Sequence, residues 1–184
     1  QRRLRVAGAM DFDDLLTVTV ELFRTHSNTL AHYQERFQHV LVDEYQDTNP
    51  AQNEIVLKLG DRHRNVFVVG DSDQSVYAFR GADIRNILDF EKAFPDTGIV
   101  VLDQNYRSTQ TILDAANSVI ANNYGRKPKD LWTDKSAGDK IVLYRADDEV
   151  EEAAWIIAEL QNRHQEGTLR WSDVAIFYRA NAQS

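Results

Sequence analysis

The chain has 184 residues, 42% of them hydrophobic and 10% aromatic, and a formal net charge of -8 at pH 7. This is enough apolar material for a packed core, and the length allows one full domain or two partial ones. With no cysteine there is neither a disulfide scaffold nor a thiolate metal site, as suits a reducing cytosol; the acidic balance argues against a polyanion binder held by bulk charge, but not against a local nucleic-acid groove.

No run of about 18 apolar residues appears, so no membrane span is expected. The opening "QRRLRVAGAM" has charges but no apolar segment behind them, so it does not read as a secretion signal. It does not begin with Met, and the chain reads as cut from something longer. Residues 11–25 place Leu15, Leu16, Val18, Leu22 and Phe23 roughly on one helical face, with acids at the start, where a helix dipole favours them. "HVLVDE" (39–44) reads as a buried strand. Pro50 stands where a helix would begin, with Gly60 as its stop. "NVFVVGD" (65–71) is a second buried strand that also ends in an acid. A helix is expected over 83–94 with Asp83 as cap, then turn chemistry at 95–98. "IVVL" (99–102) reads as a third strand. Ser108 is expected to cap a helix carrying Ile112, Leu113, Ala116, Val119 and Ile120. A basic loop follows at 125–129, then a strand at 140–145, an acidic-faced helix at 147–164 and a strand at 173–179. Alternating strands and crossover-length helices predict an α/β fold with a largely parallel sheet, and the weakest seam lies at 95–104.

In a parallel sheet, ligands bind beyond the carboxyl ends of the strands. Two strands here end in acids, Asp43 with Glu44, and Asp71. Carboxylates at such an edge can hold Mg²⁺, which substrate phosphates usually complete, and a neighbouring carboxylate can take a proton from an attacking water. Acids also commonly open loops after strands, and that plain reading stands beside the functional one. The loop "GDSDQSVYAFRGAD" (70–83) adds Gln74, a residue type that orients water or senses phosphate in nucleotide hydrolases. It also carries Tyr77, Phe79 and Arg80. Exposed, such aromatics stack on unpaired bases; buried, they are core. In "LDQNYRST" (102–109), Tyr106 and Arg107 offer an aromatic plane and a guanidinium that can hold a base and a phosphate, unless Arg107 merely pairs with a surface acid.

Taken together, these segments resemble the UvrD/PcrA/Rep family of superfamily 1 DNA helicases. "DEYQDTN" (43–49) looks like that family's motif II, the Walker B segment; "VVGDSDQSVYAFRGAD" (68–83) looks like motif III; "LDQNYRST" looks like motif IV. "MDFDDLL" (10–16) and "FYRANAQS" (177–184) resemble flanking signatures. The resemblance implies a RecA-like parallel sheet flanked by helices, in parts of two domains. Residues 1–98 would be the latter part of the first (1A), with a tail of the inserted 1B domain at 1–10, and 99–184 the start of the second (2A). It implies an ATP-dependent, 3′-to-5′ translocating helicase of DNA repair or replication, using ATP and Mg²⁺. Single-stranded DNA, DNA junctions and repair proteins would be its partners, in the cytoplasm and away from any membrane. Residue by residue, Asp43 would hold Mg²⁺, Glu44 would activate water, and Gln74 would couple the γ-phosphate to the DNA site. Tyr77 and Phe79 would face single-stranded DNA and Arg80 the nucleotide. Tyr106 would stack on adenine, and Arg107 would be an arginine finger. Where the family often has Trp preceded by a basic residue, this chain has Ala78–Phe79, with less stacking face and no indole N–H.

No G-x-x-x-x-G-K-[ST] occurs in the 184 residues. Without that loop there is no backbone cradle and no lysine for the phosphates, so the chain is expected to be a middle slice with negligible activity of its own. Two other readings stay open: a non-catalytic module that binds DNA or a partner protein, and a metal-dependent phosphohydrolase using "DSD" (71–73).

Overall fold

The computed structural model describes residues 2–180, the side chains of Arg2 and Arg5 excepted. By its internal contacts the chain divides into two compact units, Gln1–Ser136 and Ala137–Ser184. The end of the "FYRANAQS" segment, residues 181–184, lies outside the described residues.

In the first unit, α1 (Arg2–Ala7) precedes α2 (Phe12–Thr25) and α3 (Ser27–Arg36). The acids that open α2 form a capping box: Asp11 Oδ1 accepts from the Asp14 N–H at 2.9 Å, and Asp14 Oδ2 accepts from the Asp11 N–H at 3.2 Å. The buried face of α2 runs through Leu16, Val20 and Phe23, one turn apart, while Leu15 and Val18 are exposed. The face is therefore narrower than the sequence suggests, with α3 and α4 the main elements packed on it.

Strands β1 (Val40–Val42) and β2 (Val66–Val68) pair in parallel, Val40 with Val66, Leu41 with Phe67 and Val42 with Val68. They are joined through α4 (Pro50–Gly60), the crossover that parallel strands require. Pro50 sits in the first turn of α4, and Asn49 and Gln52 close a second capping box, both bonds 2.9 Å. Gly60 is the last residue of this helix, and its lack of a side chain serves packing: a β-carbon there would lie 2.2 Å from Val66 Cγ2. The strands are half-buried rather than buried. Val40, Val42, Val66 and Val68 pack on a core of Tyr45, Val56, Phe90 and Phe94, while Leu41 and Phe67 alternate outward and are exposed.

The helix expected over 83–94 forms as two short pieces, α5 (Arg85–Leu88) and α6 (Phe90–Ala93), broken at Asp89. Asp83 does not cap it as an N-cap; its carboxylate accepts from the Arg85 N–H at 3.0 Å and pairs with that residue's guanidinium. Helix α7 (Gln110–Ile120) has Thr109, not Ser108, at its N-cap, while the Ser108 N–H closes the turn made by Asn105. Among the described residues no strand forms at 99–102, 140–145 or 173–179. A strand exists only with a hydrogen-bonded neighbour, and β1 and β2 pair only with each other. A single bridge, Gln104 to Trp132, marks the region after 99–102.

In the second unit, α8 (Glu149–Gln165) starts at Asp148, whose carboxylate accepts from the N–H groups of Val150 and Glu151. Tyr144 stacks on Trp155 with ring centroids 4.5 Å apart, and its hydroxyl donates to Glu151 at 2.7 Å.

Candidate functional site

β1 stops at Val42, and the next two residues are the paired acids. Glu44 adopts φ 51° and ψ 42°, the left-handed region. For a residue other than glycine this costs about 1–2 kcal/mol, so the surrounding structure must hold it there. The cause is the next residue. Tyr45 is fully buried against Phe90, and its hydroxyl hydrogen-bonds to Asn53 of α4. The chain must turn sharply to send Tyr45 inward from the strand end, and Asp43 and Glu44 are left exposed. Burial pushes the Tyr45 phenol up to about 12, so it stays a neutral donor.

One Asp43 oxygen accepts from the Glu44 N–H at 2.9 Å. The other has no hydrogen bond from the described residues. Among these residues no cluster of three or more acids and histidines forms a metal cage. One exposed carboxylate without a cage fits Mg²⁺, which keeps several waters and takes the rest of its shell from phosphates.

The second acid-bearing loop lies beside the first. Gln46, 1% exposed, accepts from the Asp71 N–H through Oε1 at 3.0 Å and donates from Nε2 to Glu44 Oε2 at 2.7 Å. The Asp71 carboxylate in turn accepts from Gln74 Nε2 at 2.8 Å and from the Asp73 N–H at 2.9 Å. Lys129 pairs with Asp71 Oδ1, the oxygen that also accepts from the Asp73 N–H, and Arg126 makes a two-pronged bond to Asp73 at 2.9 and 2.8 Å. Burial works against the charged form of Asp71, yet hydrogen bonds from Lys129, Gln74 and the Asp73 N–H, with the Lys129 charge, outweigh it and hold this carboxyl below its ordinary value. A depressed carboxyl stabilises the fold above its unfolded value of about 4, and that contribution is lost as pH falls through the folded value. The stability gap between the protein and a Lys129→Met variant is therefore expected to be open at neutral pH and to close on acidification below about pH 4. Urea midpoints across that range measure it; a gap independent of pH would separate Lys129 from Asp71.

Further along the loop, Tyr77 is 39% and Phe79 78% exposed, with ring centroids 5.9 Å apart. The core reading of these aromatics fails for Phe79. The Arg80 guanidinium lies over both rings, 5.2 and 5.5 Å from their centroids. Asp47, Asn49, Gln52, Tyr77 and Arg80 line a cavity of about 290 Å³, and Asp47 Oδ1 is buried with no hydrogen-bond partner among the described residues.

The last candidates stand on a turn made by Asn105, whose Oδ1 accepts from the N–H groups of Arg107 and Ser108 at 2.9 and 2.7 Å. That turn leaves Tyr106 and Arg107 exposed. The Tyr106 hydroxyl donates to Gln104 at 2.9 Å, and the Arg107 guanidinium makes no ion pair with any described residue. The reading of Arg107 as the partner of a surface acid is thus not what the structure shows.

Residues 1–95 match the UvrD/REP helicase N-terminal domain, and residues 100–184 match the UvrD-like helicase C-terminal domain. The chain belongs to the UvrD/REP helicase family. It is 53% identical over 191 residues to the ATP-dependent DNA helicase UvrD1 of Mycobacterium tuberculosis. It is 50% identical over 184 residues to the ATP-dependent DNA helicase PcrA of Bacillus subtilis, and 52% to PcrA of Staphylococcus aureus. Each match covers the whole of this chain and 25% of the relative, so the chain spans about a quarter of the length of these helicases.

Membership in this helicase family leaves the phosphohydrolase reading of "DSD" without support, and both of its carboxylates are already engaged by Lys129 and Arg126. The structure also brings in residues that pattern reading passed over. Gln46 and Asn105 sit inside quoted motifs, but their work is to hold backbone and side chains that only folding brings near. Arg126 and Lys129 come from a loop more than 50 residues away in sequence, read only as basic. The one available signal was its charge, which matches the acids of 71–73.

Proposed function

We propose that this chain carries part of the motor of an ATP-dependent, 3′-to-5′ DNA helicase acting on single-stranded DNA and DNA junctions in the cytoplasm, in DNA repair or replication. Residues 1–98 form the latter part of a first RecA-like domain, with residues 1–10 as the tail of an inserted domain, and 99–184 the start of a second. Glu44 is the base that takes the proton of the attacking water. Gln74 couples the γ-phosphate to the DNA site. Tyr77 and Phe79 stack on unpaired bases. Arg80 faces the nucleotide, Tyr106 stacks on adenine, and Arg107 meets the γ-phosphate as a finger. Asp43 is the residue to hold Mg²⁺, which when bound neutralises phosphate charge.

The observation that carries this reading is the exposure of Glu44 on a left-handed turn, bonded through Gln46 to the loop that bears Gln74. A base and a phosphate-sensing amide on adjoining strand ends are what hydrolysis of a terminal phosphate needs. The relatives' names as ATP-dependent DNA helicases support the same chemistry.

Two measurements test it on the chain as it is. Titration with labelled single-stranded DNA is expected to show binding that Tyr77→Ala and Phe79→Ala each weaken by about 1–3 kcal/mol, the worth of one stacked base. Binding indifferent to both substitutions removes the aromatic pair from the DNA site. Mg²⁺-dependent ATP turnover by the 184 residues is expected to be negligible, since they contain no phosphate-cradling G-x-x-x-x-G-K-[ST]. Robust turnover would mean that the phosphates are held in another way.

A further inference from the structure

We propose that Gln46 is a positioning residue that ties the Glu44 base to the Gln74 loop, so that the two act on one phosphate in a fixed relation. The inference rests on the roles just given to Glu44 and Gln74, and it deepens them.

A side-chain amide has one acceptor end and one donor end, and here each end meets its complement. Oε1 faces a backbone N–H, that of Asp71 at 3.0 Å. Nε2 faces carboxylates, Glu44 at 2.7 Å and Asp47 at 3.5 Å. Flipping the amide would set oxygen against carboxylate and nitrogen against N–H, so only one orientation satisfies the site. The side chain is 1% exposed, and water cannot replace either bond. The polypeptide also makes room for it. A β-carbon on Gly70 would lie 2.6 Å from Gln46 Oε1, 2.7 Å from Ile87 Cδ1 and 3.2 Å from the Tyr45 nitrogen. The bonds continue on the far side, because the Asp71 held by Gln46 is the residue whose carboxylate accepts from Gln74 at 2.8 Å. A run of hydrogen bonds thus leads from Glu44 through Gln46 and Asp71 to Gln74. It is anchored by Lys129 on Asp71 and by β1 and β2 pairing on either side. Glu44 is exposed and stands on a strained turn, and Gln46 supplies the one side-chain bond to its carboxylate among the described residues. Without that bond the carboxylate is free to rotate away from the water it must face.

The first test uses the 184-residue chain. Proton NMR is expected to show the Gln46 side-chain amide protons protected from exchange and in NOE contact with the Glu44 side chain. In Gln46→Met, which keeps length but neither bond, the Asp71 amide is expected to exchange at least about tenfold faster, while those of Val42 and Val68 hold their rates. Missing NOE contacts in the unsubstituted chain, or unchanged Asp71 exchange in a folded Gln46→Met, overturn the proposal. The second test uses a protein of the relatives' length that carries this chain. There Gln46→Met is expected to lower kcat for DNA-stimulated ATP hydrolysis about ten- to a hundredfold, with the ATP KM within about twofold. A merely structural role would move KM and stability with kcat, and that result also overturns it. Glu44→Gln in the same protein separates the two layers: if Glu44→Gln keeps full turnover, the base assignment fails; if it abolishes turnover while Gln46→Met does not change kcat, only the tie through Gln46 fails.

Discussion

Glu44→Gln, in a protein of the relatives' length that carries this chain, is expected to lower ATP turnover about 10²–10⁴-fold while ATP affinity stays within about twofold. The substitution is close to isosteric. Glu44 lies outside the core, so the fold loses no packing, and the left-handed turn is set by the burial of Tyr45 rather than by the Glu44 side chain. The new amide oxygen can still accept from Gln46 Nε2, as Oε2 does now at 2.7 Å. What disappears is the capacity to take a proton. Asp43 keeps its place at the strand end, so binding that depends on a metal ion there is undisturbed. Steady-state turnover with nucleotide titration checks both halves. Turnover within a few-fold of the unsubstituted protein would show that another group accepts the proton, and a parallel loss of affinity would place Glu44 in binding instead.

Tyr45→Ala is expected to cost about 3–5 kcal/mol, the usual loss for a large aromatic removed from a core. Tyr45 is fully buried, its ring stands edge-on to Phe90 at 5.6 Å, and Phe90 continues the contact to Phe94 at 4.9 Å. Those rings and Val56 form the cluster on which both strands pack. A domain has only about 5–15 kcal/mol in total, so this single change puts the first unit near unfolding. Tyr45→Phe keeps the ring and removes the hydroxyl that bonds Asn53; its expected cost is about 1 kcal/mol. Urea midpoints of the two variants at constant m-value measure the difference. A Tyr45→Ala midpoint close to that of the unsubstituted chain would mean that the core closes over the gap, and the link from core to turn would then be lost.

These two results bear on one stretch, because the residue that carries the core, Tyr45, follows directly on Glu44, the residue proposed as the base. The acids at the end of β1 were visible in the sequence because a β-branched run ending in carboxylates is a local pattern. Helices α2, α4 and α8 were legible for a similar reason. α2 showed an apolar face with acids at its start, α4 had Pro50 at its first position and α8 an acidic face, and such signals act within a few residues of chain. The three further strands failed where the information is not local. "IVVL", "KIVLYR" and "DVAIFYR" have strand composition, but a ladder needs a neighbour, and nothing in a single run names its partner.

The family's motifs, their order and the chemistry each residue type can perform were thus set by the sequence alone, because carboxylate, amide, guanidinium and aromatic ring keep their character in any fold. The tertiary structure decided which groups are exposed and which are tied together. It put Glu44 on a left-handed turn by burying Tyr45, joined residues 46 and 71 through one buried amide, and brought Arg126 and Lys129 onto Asp73 and Asp71. Each of these depends on contacts between residues far apart in the chain, formed only when burial of the apolar core draws the two strands and their loops together.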